Sequence, residues 1–180
     1  MKSIEVKSLT FTAMMTAILC VLAPFSIPIG SVPISAATFV VYFAALLLGT
    51  KRSLVCVGLY IVIGAVGVPV FNGWSGGFSH IVGPTGGYII GYLVIAFFTG
   101  WFMKLGHSRL PMIFLGMLIG TLGCYILGTS WLALQLSMDG KTALTVGVLP
   151  FIPGDIAKMI ISVLIALPMR KQLSAYLDNK

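Results

Sequence analysis

Acidic side chains are scarce in this chain: Glu5, Asp139, Asp155 and Asp178 are the four among 180 residues, and charged residues of either sign make up 8%. So few carboxylates leave little material for a cluster of acidic metal ligands or for paired-carboxylate catalysis. Cysteine is equally sparse. Cys20, Cys56 and Cys124 fall in separate apolar stretches without ligand-type spacing, so they read as small buried residues rather than a zinc site or a disulfide framework. The two histidines, His80 and His107, stand alone and read as surface or packing residues. No Ser-x-Gly nucleophile elbow and no His-Glu zinc pair occurs. Gly140-Lys141-Thr142 resembles the end of a phosphate loop, but Gln135 stands where that loop needs its first glycine. An enzyme is not expected, nor a catalytic residue, a metal or a cofactor.

Apolar residues fill the space that charge leaves. At 58% hydrophobic and a mean hydropathy of +1.08, the chain is far from a soluble domain, in which about a quarter of residues carry charge. A membrane-spanning helix needs roughly 20 mostly apolar residues. The expected spans are Leu9 to Pro24, Ile34 to Gly49, Ser53 to Val68, Gly86 to Met103, Leu110 to Leu136 and Pro153 to Leu167. Continuous rather than alternating apolar runs indicate helices and not a barrel. The breaks have local causes: Pro24, Pro28 and Pro33; Lys51-Arg52; Asn72-Gly73 with Gly76-Gly77; Lys104 to Arg109; and Asp139-Gly140-Lys141 followed by Pro150 and Pro153. The expectation is an all-α integral membrane bundle of six helices, with residues 1–180 forming a single domain.

Charge orients such a bundle. Lys2, Lys7, Lys51, Arg52, Lys104, Arg109, Arg170, Lys171 and Lys180 fall on one side of a six-span arrangement and Lys141 on the other, which places both termini in the cytoplasm. The net charge of +7 then reflects topology and anionic lipid, and no nucleic-acid partner is expected.

Against this background Asp155 and Lys158 stand out, because they open the last apolar stretch at a spacing that shares one helical face. Ionisable groups in a membrane segment are costly unless they pair, line a wet cavity or meet a polar ligand. A plainer reading is also available: a first-turn carboxylate favoured by the helix dipole, with a lysine that snorkels outward. The connection from Val70 to Tyr88 falls on the same, outer side. Its glycines and prolines let backbone approach a ligand, Trp74, Phe78 and Tyr88 offer apolar walls, and Asn72, Ser75, Ser79 and Thr85 offer hydrogen bonds. Together they suggest an outward-facing pocket for a small, partly polar molecule. Ala13 with Ala17, and Gly116 with Gly120, place small side chains on one face of a helix, the pattern of close helix contacts.

Four segments in order, Val32-Pro33-Ile34-Ser35, Leu59-Tyr60 through Gly64-Ala65, Gly67, Pro69 and Phe71, Gly83-Pro84-Thr85-Gly86-Gly87-Tyr88, and Phe151-Ile152-Pro153-Gly154-Asp155 with Lys158, resemble the BioY family. That resemblance implies the biotin-specific substrate-binding (S) component of an energy-coupling factor (ECF) transporter, in a bacterial cell membrane. It implies as partners biotin, a transmembrane coupling protein and two ATPase subunits. Asp155 would accept from the ureido N–H groups and Lys158 donate to the ureido oxygen, with Asn72, Ser75, Thr85 or Tyr88 as further polar contacts and Trp74 as a wall. Ala13 and Ala17 would form the docking face for the coupling protein. One departure is visible: family members commonly carry Leu-Gln-Thr after Val-Pro-Ile-Ser, where this chain has Ala36-Ala37-Thr38. The alternative from a different class is a self-sufficient secondary transporter or facilitator, which needs Asp155 to exchange protons.

Overall fold

The structure, a computed structural model, describes residues 2–27, 32–106 and 109–178; Pro28, His107 and Lys180 lie outside them, as do the side chains of residues 2–5 and 173–178. Helices α1 (Lys2–Leu22), α2 (Ala37–Leu48), α3 (Thr50–Ala65), α5 (Gly86–Leu105), α6 (Leu110–Leu136) and α8 (Ile152–Asp178) coincide with the six apolar segments expected from sequence. Two short helices were not expected, α4 (Phe78–Val82) and α7 (Gly140–Gly147), nor was the ribbon of β1 (Ser26–Ile27) and β2 (Ile34–Ser35). The ribbon is antiparallel, with Ser26 opposite Ser35 and Ile27 opposite Ile34. Its prolines and glycines resemble a plain loop in sequence, and the pairing arises only where the two short segments meet.

Among the described residues three segments are long and apolar enough to cross a membrane: α5, α6 and Ile152–Gln172 of α8. At 1.5 Å per residue the 20 residues of α5 span about 30 Å, the thickness of a hydrocarbon core. Val6–Leu22 and Ala37–Leu48 are shorter apolar helices. The outer surface is itself apolar, with Val62, Ile126, Leu134 and Leu164 exposed, while hydroxyls such as Thr12, Ser53, Thr99 and Ser162 are buried. That inversion belongs to a membrane protein, whose surroundings are as apolar as its core.

Glycine sets the tightest contact. A Cβ on Gly120 would come within 2.9 Å of Ile95 Cα, and one on Gly116 within 2.8 Å of the Phe98 carbonyl oxygen, so both face α5. The Gly116/Gly120 pair therefore serves internal packing. Ala13 and Ala17 point the other way: they are exposed, while Thr12, Met15, Thr16 and Leu19 form the inward face of α1.

The connection that carries Asn72 to Thr85 is anchored at several points. Phe71 N–H donates to the Ser75 carbonyl (2.8 Å), Gly73 N–H to that of Pro24 (3.0 Å) and Gly77 N–H to that of Gly64 (2.7 Å). From α6, Trp131 Nε1 donates to the Gly83 carbonyl and Gln135 Nε2 to that of Val82, both at 2.9 Å. This segment is held over the end of the bundle rather than left as a flexible link.

Gly120→Val should lower the unfolding temperature of the purified protein in detergent, by the equivalent of about 1–3 kcal/mol for an overpacked contact. Gly58→Ala, where no atom lies within 4 Å of the added carbon, should leave it unchanged or raise it. Equal behaviour of the two variants in a thermal scan would contradict the close α5–α6 approach.

Candidate substrate-binding site

Helix α8 opens with Pro153 in its first turn, where a missing N–H costs nothing, and Asp155 N–H donates to the Phe151 carbonyl at 2.8 Å. Asp155 thereby lies at the positive end of the helix, one turn before Lys158. The two are ion-paired, Lys158 Nζ to Asp155 Oδ1 at 3.1 Å, and Asp155 is only 3% exposed. The snorkelling alternative is excluded by where the ammonium goes. It donates to the Ser35 carbonyl (2.8 Å), to Thr38 Oγ1 (3.0 Å) and to Asp155, so its three hydrogens are all engaged.

Asp155 is held from two further helices. Thr38 Oγ1, in the first turn of α2, donates to Oδ1 at 3.1 Å, and Tyr125 Oη, from α6, donates to Oδ2 at 2.6 Å. Ser35 Oγ meanwhile accepts from Ala37 N–H and fixes the start of α2. A carboxylate has about four lone-pair positions, so after these three bonds Oδ2 keeps capacity for another donor. Lys158 has none to spare, and donation to a ligand carbonyl, as expected from the resemblance, requires it to give up Ser35 or Thr38.

These groups line one cavity together with Pro33, Asn72, Thr85, Tyr88, Tyr92, Thr121 and Phe151. Its free volume is about 30 Å³, room for roughly one water, so a larger guest enters only as side chains move apart. Asn72 Oδ1 is buried with no hydrogen-bond partner among the described residues. An unsatisfied buried acceptor is costly and is a natural receptor for a ligand N–H.

The remaining expected residues divide. Thr85 lines the cavity. Tyr88 contributes its ring, but its hydroxyl is committed to Thr129 Oγ1 (3.1 Å) and the Gly147 carbonyl (2.9 Å), where it fastens the end of α7. Ser75 turns away: its Oγ donates to the Asn72 carbonyl at 2.7 Å and lies 3.2 Å from His80 Nε2. Trp74 lies outside this cavity, 58% exposed, and lines a neighbouring one. His80 is a packing residue, stacked on Phe71 with centroids 5.6 Å apart, and burial lowers its pKa. Ser35, Thr38, Tyr92 and Tyr125 were missed in the sequence reading. Only Ser35, the last residue of the Val-Pro-Ile-Ser motif, and Thr38, three positions beyond it, carried a signal.

Among the described residues no group of His, Cys, Asp and Glu is arranged to hold a metal ion. The arrangement offers buried acceptors, a carboxylate neutralised by its own lysine, and aromatic walls. Such a site suits a neutral polar group that donates hydrogen bonds.

Comparison with known proteins gives the family. Residues 1–175 match the BioY family. A probable biotin transporter BioY of Pyrococcus horikoshii is 40% identical over 162 residues, which cover 90% of this chain and 95% of that protein. The biotin transporter BioY2 of Lactococcus lactis is 32% identical over 175 residues, covering 97% and 96%. The crystal structure of the S-component for biotin from an ECF-type ABC transporter superposes with a TM-score of 0.87 at 34% identity, over 95% of this chain and 94% of that one. A family match over residues 1–175, a shared fold and identities of 32–40% along nearly the whole length make this chain a member of the BioY family.

Proposed function

We propose that this chain is the biotin-binding S component of an ECF-type transporter and serves biotin uptake across the cell membrane. In this reading residues 1–180 form one domain of six spans, α1, α2, α3, α5, α6 and α8, with both termini cytoplasmic and the Asp155 end of α8 facing outward. The observation that carries it is the buried cluster of Asp155, Lys158, Thr38 and Tyr125 beside the orphan acceptor of Asn72. A ureido group has two N–H donors and no charge. Asp155 Oδ2 and Asn72 Oδ1 both have capacity left to receive them.

Energetics separates capture from transport. Nanomolar binding needs about −12 kcal/mol, which a ligand of biotin's size reaches at roughly −0.75 kcal/mol per heavy atom. A thousandfold accumulation costs about 4 kcal/mol per molecule transported, which equilibrium binding cannot supply repeatedly. The energy therefore comes from ATPase partners through a membrane coupling protein, docked on the exposed Ala13 and Ala17 face of α1. The secondary-transporter alternative is less favoured. A proton on Asp155 would cancel its charge and leave the Lys158 ammonium, ion-paired to it at 3.1 Å, buried without a counter-charge.

Titration of the purified chain with biotin, desthiobiotin and unrelated vitamins tests the reading; the first should bind and the last should not. Asp155→Asn should weaken biotin about tenfold to hundredfold, the worth of a hydrogen bond to a charged group, and lower the unfolding temperature by leaving the Lys158 ammonium without its counter-charge. Lys158→Ala should weaken it as well and, by leaving a buried carboxylate unpaired, cost about 3–5 kcal/mol of stability. Unchanged affinity in both variants would remove this cluster as the site. Replacing Ala13 or Ala17 by Trp should spare biotin binding yet impair uptake by the reconstituted complex, whereas intact uptake would rule out the docking face. Uptake in membranes without coupling proteins, abolished by collapsing the proton gradient, would favour the secondary transporter instead.

A further inference from the structure

A second and wider cavity, of about 540 Å³, adjoins the first, and Ser35 and Lys158 line both. It lies between the β1–β2 ribbon and the Phe71–Ser75 turn, and its walls include Phe25, Ile27, Ile34 and Trp74. Trp74 has φ 61°, a left-handed backbone that bulky residues seldom adopt. The Phe71–Ser75 and Gly73–Pro24 hydrogen bonds hold it there, and its ring stands edge-on to Phe25 at 5.5 Å between centroids. The chain thus keeps a large aromatic side chain at this wall where glycine or asparagine would be unstrained.

The chemistry of this outer cavity is apolar, with Lys158 the one charged group among its lining residues. That ammonium has already given its three hydrogens to Ser35, Thr38 and Asp155. Among the described residues no other lysine or arginine lines either cavity, and no histidine does. A ligand carboxylate would find no free cation at either place, and in the inner cavity it would stand beside Asp155.

We infer that the outer cavity receives the aliphatic tail of the ligand without recognising its carboxylate, so that the protein accepts biotin joined through its carboxyl group to an amine, biotinyl-lysine included, as well as free biotin. This rests on the biotin reading above, which puts the ureido head against Asp155 and Asn72. The tail then leaves the inner cavity past Lys158, its methylenes lie along Phe25, Ile34 and Trp74, and its end faces the wider space. Replacing a carboxylate there by an amide removes a charge that nothing nearby pairs with and keeps every methylene contact. The ligand class is thereby widened from the free vitamin to its amides, the form released when biotinylated proteins are degraded to amino acids.

The test is titration of the purified wild-type chain with biotin, biotin carboxamide and biotinyl-lysine, each at low and high salt. The three dissociation constants should agree within about fivefold, and that for biotin should not weaken with added salt, because an exposed ion pair would be screened. Biotin binding with either amide weaker by more than about fivefold would overturn the inference and leave the biotin reading intact. No binding by any of the three would sink both.

Discussion

One ammonium group ties together three separate parts of the fold. Lys158 reaches from α8 to the backbone of β2, to the first turn of α2 and to Asp155 on its own helix, and Tyr125 completes the cluster from α6. Burying two charges costs several kcal/mol per ion, which is offset only when geometry is good and the remaining donors and acceptors are satisfied. Here every hydrogen of the lysine is satisfied and the carboxylate is left one position short. That imbalance leaves the cluster able to accept one more hydrogen bond.

How much of this was legible in the sequence depended on what signal a residue emits by itself. Asp155 and Lys158 could be found because charge is rare in apolar helices and a three-residue spacing brings the two together. Tyr125 could not, and Thr38 was marked only by its place just after the Val-Pro-Ile-Ser motif. A hydroxyl in an apolar helix has no periodicity of its own, and the partners of Asp155 lie 30 and 117 positions away along the chain. The same limit explains Tyr88 and Ser75. Their composition fits a polar contact to a ligand, but a hydroxyl goes to the nearest acceptor that folding provides, and both found backbone carbonyls first. The six long apolar segments were readable from hydropathy alone, whereas α4, α7 and the ribbon are too short to impose a pattern.

The two small-residue motifs make a related point. Ala13-x-x-x-Ala17 and Gly116-x-x-x-Gly120 have the same spacing and the same physical meaning, a surface that lets another backbone come close. In α6 that surface meets α5, and an added methyl group would strike Ile95. In α1 the inward stripe is already supplied by Thr12, Met15, Thr16 and Leu19, so the alanines are left outside. Which of two such motifs is spent inside the bundle is decided by what else its helix can bury.

A tight site also constrains how a ligand leaves. Association of a small molecule at about 10⁶–10⁷ M⁻¹s⁻¹ with nanomolar affinity gives escape about once in minutes to a quarter of an hour. Such a rate suits scavenging and defeats delivery. In the function proposed above, release on a useful timescale needs the cluster around Asp155 to be taken apart, and its bonds run between α8, α2, β2 and α6. A partner acting on the bundle can separate those elements only by moving helices relative to one another. The exposed small-residue face of α1, a helix that packs on α2 and α3, contributes no residue to that cluster.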